Sequence, residues 1–166
     1  MQFLRTEWIM QRWIIVKWDK VAALANVAIK IIDAKSGHAI DRQEIHNLVV
    51  TAGLNLFRDG LTGSITSPSH LAVGTGNTVV STSDTALDTE VFRDTVTSTD
   101  TTTDGQIIYK YFLPSGSANG NTLAEAGIFN AGAAGTMLAR VVLASTIVKT
   151  SSIAVTFTWT ITLTAN

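Results

Sequence analysis

The sequence predicts a mainly β fold, either an antiparallel β-sandwich or a jelly-roll-like barrel, with one short helix and an N-terminal arm. The clearest observation is at the end of the chain, where six apolar residues alternate with Ala154 and five threonines: Ile153, Val155, Phe157, Trp159, Ile161 and Leu163. This period of two predicts a strand with one buried face. The second observation is a series of short β-rich segments separated by turn-forming residues, which is typical of antiparallel sandwiches and barrels.

The length and composition limit the organisation and the function classes. A chain of 166 residues suits one β-domain, predicted over 23–166, preceded by an arm over 1–22. Cysteine is absent, which excludes disulfides, thiolate nucleophiles and Cys-based metal sites. The net charge is −1, and only 15% of the residues are charged, so a basic nucleic-acid-binding face is not expected. The low charge fits either a surface that an assembly covers or a β-protein that simply exposes its threonine hydroxyls.

The first twenty residues differ from the rest because they hold three of the four tryptophans. A spacing of five residues places these indoles on different sides of a helix and on alternating faces of a strand, so no single flat surface could cover them all. We therefore predict an assembly arm whose partner-binding residues are Trp8, Ile9, Trp13, Ile14, Ile15 and Trp18. Packing onto its own domain and a membrane-surface helix remain alternatives. A signal peptide is disfavoured because Arg12 and Lys17 interrupt its apolar core.

The sequence pattern in the first part of the domain predicts a hairpin followed by a short helix. Apolar residues alternate around Val27–Ile31, a turn follows over 33–37, a short returning strand covers 38–40, and another strand covers 45–50. Thr51 is predicted to cap a helix over 52–59, which has an apolar stripe through Leu54, Phe57 and Leu61. Gly60 and Gly63 are predicted to end this helix.

The remaining elements are predicted as strands joined by polar loops. Strands are expected at 70–73, 90–97, 107–113, 122–129, 137–143 and from Ile153 onward. The Ser/Thr-rich stretch 77–88 is predicted to be a long surface loop, and 99–105 a turn-rich connection. The sequence contains no 18-residue apolar run of the kind that spans a membrane.

Candidate catalytic and metal-binding residues are few. The histidines His38, His46 and His70 lack metal-ligand spacing, although the first two could meet across a hairpin. Asp84, Asp88 and Glu90 could offer oxygen ligands to calcium, but solvated loop carboxylates are the simpler interpretation. We therefore predict no catalytic, cofactor-binding or metal-binding residue, no cofactor and no enzymatic activity.

Two further patterns have structural interpretations. Gly74-Thr75-Gly76 follows a strand as phosphate loops do, but no lysine or helix follows, so a tight turn explains it. Glu125 lies between two alanines on a predicted strand, which would bury its carboxylate. A buried carboxylate needs a charged partner, so we predict a structural ion pair of Glu125 with Arg93 or Arg140.

Three stretches of this sequence resemble small virion structural proteins of tailed bacteriophages. They are HLAVGTGNTVVSTSDTALDTEVFR at 70–93, preceded by HNLVVTAG at 46–53, and the long run from Ala118 to Leu163. The shared pattern is Gly74-x-Gly76, then Asp84–Leu87 with Glu90 and Arg93, then Glu125–Phe129, then Lys149 followed by the alternating strand. The resemblance covers about 46–163, and the tryptophan-rich arm has no counterpart in it.

The resemblance implies a structural subunit of a virion, assembled in the host cytoplasm. Within that group, a self-standing domain with an arm fits a capsid decoration (cement) or adaptor protein that stabilises the particle through oligomeric contacts. A tail-collar or tail-fibre attachment protein is the alternative. The implied partners are other copies of the chain, in a trimer or another symmetric ring, and the major capsid protein or tail and neck proteins, with no nucleic acid and no membrane.

A carbohydrate- or receptor-binding module is a second alternative. Tyr109, Tyr111 and Phe112 could provide a stacking platform for sugars, as exposed aromatics do in other β-sandwiches. Their alternation places Phe112 on the face opposite the two tyrosines, so core packing explains the pattern equally well.

Overall fold

The structure of the chain, a computed structural model, describes residues 21–64 and 66–165. Nine strands and one helix follow one another in these residues: β1 (Val21–Asp33), β2 (Ala39–Val49), α1 (Thr51–Leu61), β3 (His70–Gly74), β4 (Glu90–Thr95), β5 (Ser98–Asp100), β6 (Gln106–Leu113), β7 (Thr122–Phe129), β8 (Met137–Val148) and β9 (Ile153–Ala165).

The strands form one curled antiparallel sheet, a half-barrel, with the order β4-β3-β7-β8-β2-β1-β9-β6-β5. The sheet bends at β2, which pairs with β1 over most of its length and with β8 only at Leu48 and Val49. The two halves therefore face each other across a common core, as the layers of a sandwich do. The predicted mainly β class is confirmed.

The core lies between the two halves of the sheet. The apolar face of β9 is fully buried there from Val155 to Ile161 and half-buried at Ile153 and Leu163, and it packs with Tyr111 of β6 and Leu123 of β7. The threonines of β9 lie on the opposite face and are only half-buried, as the alternation predicted. β8 differs because both of its faces are buried from Met137 to Val141, so it reads as a continuous apolar run apart from Arg140.

Three strand predictions were wrong. The chain from Ala39 to Val49 is one strand rather than two short ones, because its polar middle residues, most of them exposed, pair with β1. Gln43 is an exception, since it is buried and its side chain bonds the backbone of Ser145. Residues 98–100 add the edge strand β5 inside the predicted connection, and β8 continues five residues beyond Leu143.

The helix also differs from its prediction at both ends. Val50 is the N-cap residue and offers no side-chain hydrogen bond, whereas Thr51 is already helical. The backbone N–H of Val50 instead donates to the carbonyl of Leu138, which ties the start of α1 to β8. Gly60 lies within the last turn, and the chain leaves the helix at Thr62 and Gly63, where φ is +80°.

The predicted boundary between the arm and the domain, after residue 22, falls inside β1. Val21 and Ala22, the last residues of the predicted arm, pair with Ala165 and Thr164 of β9. Among the described residues, no helix is long and apolar enough to cross a membrane.

Candidate interaction surface

An open apolar groove lies between α1 and the end of the sheet. Its cavity volume is about 570 Å³. One wall is the predicted apolar stripe of α1, and the floor and far wall come from the sheet: Leu54, Phe57 and Leu61, then Tyr109, Leu138 and Leu163. Leu54 is 49% exposed and Leu61 91% exposed, so the stripe covers the sheet only in part and leaves apolar surface in contact with water.

A cleft of about 590 Å³ adjoins the groove where β1 and β2 separate. The pairing of β1 with β2 begins only at Ala25, whereas its pairing with β9 begins at Val21. Within 21–64 and 66–165, no strand therefore lies beside the β2-facing side of residues 21–24. We call this opening the β1–β2 cleft, and it shares Ala23 and Leu54 with the apolar groove.

Asn47 lines the β1–β2 cleft and has an unsatisfied side chain. Both its amide nitrogen and its amide oxygen are shielded from solvent and lack a hydrogen-bond partner among the described residues. A buried amide without partners costs free energy, because it gives up its bonds to water.

Glu125 and Arg140 are brought together in the structure, on the adjacent strands β7 and β8. Both side chains are buried, and two guanidinium nitrogens of Arg140 lie 2.9 Å from one carboxylate oxygen of Glu125. Arg140 also contacts Asp84 at 2.9 Å and Asp88 at 2.8 Å. We call these four residues the Arg140 cluster. One cation thus meets three carboxylates, two of them from the long loop that precedes β4.

The same carboxylate of Glu125 fixes the backbone of that loop. It accepts hydrogen bonds from the N–H groups of Gly76, Asp88 and Thr89 at 3.0, 3.1 and 2.9 Å. A Cβ on Gly74 or Gly76 would lie 2.6 Å or less from Glu125. The Gly-x-Gly segment therefore packs against a buried carboxylate, which fits a structural turn better than a phosphate site. The polar stretch 77–88, predicted as a surface loop, is fastened at both ends to the sheet.

The surroundings of Arg140 and Asp88 favour the charged form of each. Burial disfavours the charged guanidinium, but its hydrogen bonds to Asp84 and Glu125 outweigh this and raise the pKa of Arg140. The hydroxyl of Thr78 donates a hydrogen bond to Asp88, and together with Arg140 it lowers the pKa of that carboxyl group. The ion pair of Arg140 with Asp88 is therefore stabilised in its charged form.

Arg93, the other predicted partner of Glu125, lies elsewhere. Its guanidinium pairs with Glu90 on the same strand and donates to the carbonyls of Ala131 and Ala134 at 3.0 and 2.8 Å. It also stacks 3.7 Å above the centre of the Phe129 ring. Arg93 therefore anchors the turn between β7 and β8. It lies opposite Ala72, on the same face of the sheet as Glu125, but its side chain extends toward Phe129 at the far end of β7.

Lys149 is a buried cation that the sequence analysis did not single out as a site. Its ammonium group donates to the carbonyls of Ser115 and Thr150 and to the side-chain oxygen of Asn119, at 2.9–3.2 Å. Burial lowers the pKa of Lys149. The three acceptors match its three N–H bonds, so the residue closes the loop between β6 and β7. Its signal in the sequence is a lone charge immediately before the alternating strand.

The histidines do not come together. His38 precedes β2 and His46 lies near its other end, so a single continuous strand separates them by roughly 27 Å. His70 bonds Ser69 and Thr95, and His46 bonds Asn26. Within 21–64 and 66–165, no three metal-ligating side chains form a group. Of the three acidic residues considered for calcium, Asp84 and Asp88 contact Arg140 and Glu90 contacts Arg93.

The aromatic platform does not form on the surface. Tyr109 and Tyr111 are buried in the core, whereas Phe112 is 45% exposed on the opposite face. Burial raises the pKa of Tyr109 to about 12 and raises that of Tyr111 as well. The predicted arm residues Trp8, Ile9, Trp13, Ile14, Ile15 and Trp18 lie outside the described residues.

No protein-family model, curated protein or solved structure matched this chain.

Proposed function

We propose that the chain is a structural subunit of a tailed-bacteriophage virion, a capsid decoration (cement) or adaptor protein that stabilises the particle through oligomeric contacts. The observation that supports this most directly is the apolar groove beside α1. A helix that leaves Leu61 91% exposed above a groove floored by core residues presents a surface that a partner would complete. The resemblance of the sequence motifs to those of small virion proteins supports a phage particle as the assembly.

The energetics of the body also suit a subunit rather than an isolated protein. Covering apolar surface releases about 25 cal/mol per Å² before the entropy cost of association is subtracted. A symmetric oligomer repeats each such contact, so modest contacts combine into a stable ring. The low charge of the chain means that little electrostatic repulsion opposes this packing.

A tail-collar or tail-fibre attachment protein is the alternative within the same class. Its β-body and its oligomeric contacts would be of the same kind, and only the place on the particle would differ. A gene beside that of the major capsid protein favours decoration, whereas a position among tail genes favours the collar. Nothing in the geometry favours a sugar-binding module, because the two tyrosines of the candidate platform are buried.

Two measurements test the proposal. Sedimentation of the purified full-length chain should give a symmetric oligomer, and a monodisperse monomer would refute the assembly function. Quantitative mass spectrometry of purified particles from the encoding phage should detect the chain, in near-stoichiometric ratio to the capsid protein for decoration and in few copies for a collar. Particles that lack the gene should release DNA at a lower temperature if the chain is a cement protein. Absence of the chain from purified particles would refute a virion role.

A further inference from the structure

We propose that the apolar groove and the adjoining β1–β2 cleft receive the N-terminal segment, residues 1–20, of a neighbouring copy of this chain. The inference deepens the proposed function and rests on its oligomeric state. It assigns a receptor site on the body and names its occupant.

The receptor has the chemistry of a peptide-binding site. The groove offers an apolar floor, formed by Tyr109, Leu138 and Leu163, beneath the exposed side chains of α1. The cleft next to it offers the side of the first four residues of β1 that pairs with no other described strand. An extended segment could pair with that strand side, while large apolar side chains entered the groove.

The N-terminal segment has the matching chemistry. It carries three tryptophans together with an Ile-Ile-Val run over 14–16. Indoles are frequent anchors of interfaces, because each buries a large apolar area. Because tryptophans five residues apart point to different sides, a groove with two walls and a floor suits them better than a flat face. The groove volume of about 570 Å³ is sufficient for more than one large side chain.

The direction of the chain favours a neighbouring copy over the same copy. β1 starts at Val21, opposite Ala165, and the groove lies alongside Ala23 of β1 and Leu163 of β9. To enter its own groove, the chain would have to reverse immediately before Val21. Residues 1–20 contain no glycine, proline, asparagine or serine, and Asp19 is their one turn-forming residue. Twenty residues reach up to about 66 Å when extended, which is sufficient to reach the groove of a neighbouring copy.

Cross-linking distinguishes the two arrangements, and it is simple here because the chain has no cysteine. Ser67 is exposed at the rim of the groove, and Gln11 lies between the first two tryptophans of the segment. Full-length chains with S67C and with Q11C, carrying different tags, are assembled together and oxidised. A disulfide between the two differently tagged chains is expected. Failure of the cross-link to form would overturn the proposal.

The double variant Q11C/S67C provides the converse test. It is refolded with a large excess of the cysteine-free chain, so that most of its neighbours carry no cysteine. Exchange of segments between copies predicts that the disulfide product falls in proportion to the dilution. An intramolecular disulfide that is insensitive to dilution would show that the segment binds its own groove, which would overturn the proposal.

Substitutions at the rim test the groove itself. L54K and L61K change side chains that are already 49% and 91% exposed, so the domain should fold as before. Each should raise the dissociation constant of the oligomer roughly tenfold or more, the range expected for losing one buried apolar side chain. V79K is the matched control, because Val79 is 90% exposed and lies outside the groove. Equal effects of the three substitutions would overturn the proposal.

Failure here is distinguishable from failure of the proposed function. The chain could be oligomeric and present in virions but show no cross-link and no effect of L54K. That result would refute the assigned receptor site and leave the structural role intact. A monomeric chain that is absent from virions would remove both.

Discussion

Glu125→Gln is the substitution that tests the role of the Arg140 cluster most directly. Each carboxylate oxygen of Glu125 accepts at least two hydrogen bonds: one from Gly76 and Thr89, the other from Asp88 and Arg140. Glutamine keeps the shape but replaces one oxygen with an NH₂ group, which cannot accept them. Whichever way the amide turns, at least two donors lose their acceptor in a site where Glu125 is 0% exposed.

The expected loss of stability is large for a single substitution. A buried donor left without a partner costs about 1–3 kcal/mol, and breaking a buried ion pair costs about 3–5 kcal/mol. The second range includes part of the first, so we expect the free energy of unfolding to fall by about 3–5 kcal/mol. For a chain of this length, each kcal/mol lowers the melting temperature by about 2–4 °C, so the expected shift is roughly 6–20 °C.

Urea denaturation and thermal melting, followed by far-UV circular dichroism, measure this loss. Glu44→Gln is the matched control, because the same chemical change occurs on the exposed face of β2. We expect it to change the stability by less than about 0.5 kcal/mol. If Glu125→Gln cost no more than the control, the network would contribute nothing and the physical account of the cluster would be refuted.

Three further predictions follow from close contacts and buried charges. Gly53→Ala should lower the free energy of unfolding by about 1–3 kcal/mol, because the new Cβ would lie 2.0 Å from a backbone carbonyl of β8. Gly116→Ala is the control, because a Cβ there meets nothing within 4 Å. Equal melting temperatures of the two variants would contradict this prediction. Lys149→Met should lower the free energy of unfolding, measured by urea denaturation, by about 1–3 kcal/mol, because three acceptors lose their donor. It should also speed amide exchange at Gly120, whose N–H bonds the Lys149 carbonyl. Unchanged exchange would show that Lys149 does not hold the loop between β6 and β7. The pKa of Asp88 is lowered in the folded state, so its stabilisation is present above its ordinary value of 3.8 and is lost as pH falls through the folded pKa. Acid titration should therefore show Asp88→Asn less stable than the parent at pH 6 and equal to it at the acid end; a gap independent of pH would contradict the lowered pKa.

The sequence was most informative where a local pattern coincided with the final environment. The alternation from Ile153 to Leu163 predicted both the strand and its buried face, because β9 lies in the middle of the sheet with one side on the core. The buried position of Glu125 could be predicted in the same way from the alanines around it. In these cases the neighbours along the chain are sufficient to define the surroundings of the residue.

Other features depend on contacts between distant parts of the chain. The polar middle of β2 suggested a break, whereas the strand continues because β1 pairs with it over its whole middle. Val50 could not be predicted as the helix N-cap, because its N–H bonds a carbonyl of β8 nearly ninety residues later. The groove was equally hidden, since the stripe of α1 was visible in the sequence but the surface that it only partly covers was not.

The Arg140 cluster illustrates the same limit. The pairing of Glu125 with Arg140 follows from the register of β7 and β8, in which Glu125 lies opposite Val142 and Arg140 opposite Gly127. Asp84 and Asp88 resembled solvated loop residues because nothing near them in the sequence is basic. Their partner, Arg140, lies more than fifty residues away and reaches them only after the loop folds back over the sheet.

The Arg140 cluster and the groove are connected through the start of α1. The loop that the cluster fastens reaches the helix through its backbone, because the Thr82 carbonyl accepts a hydrogen bond of 2.8 Å from the N–H of Thr51. Together with the bond from Val50 to β8, this contact fixes the first turn of α1 and therefore the wall of the groove. Releasing the loop should loosen that wall even though Glu125 lines no part of the groove. Glu125→Gln should accordingly speed amide exchange at Thr51 and weaken the oligomer as well as the fold; a destabilised domain with unchanged exchange at Thr51 would show that the two regions are independent.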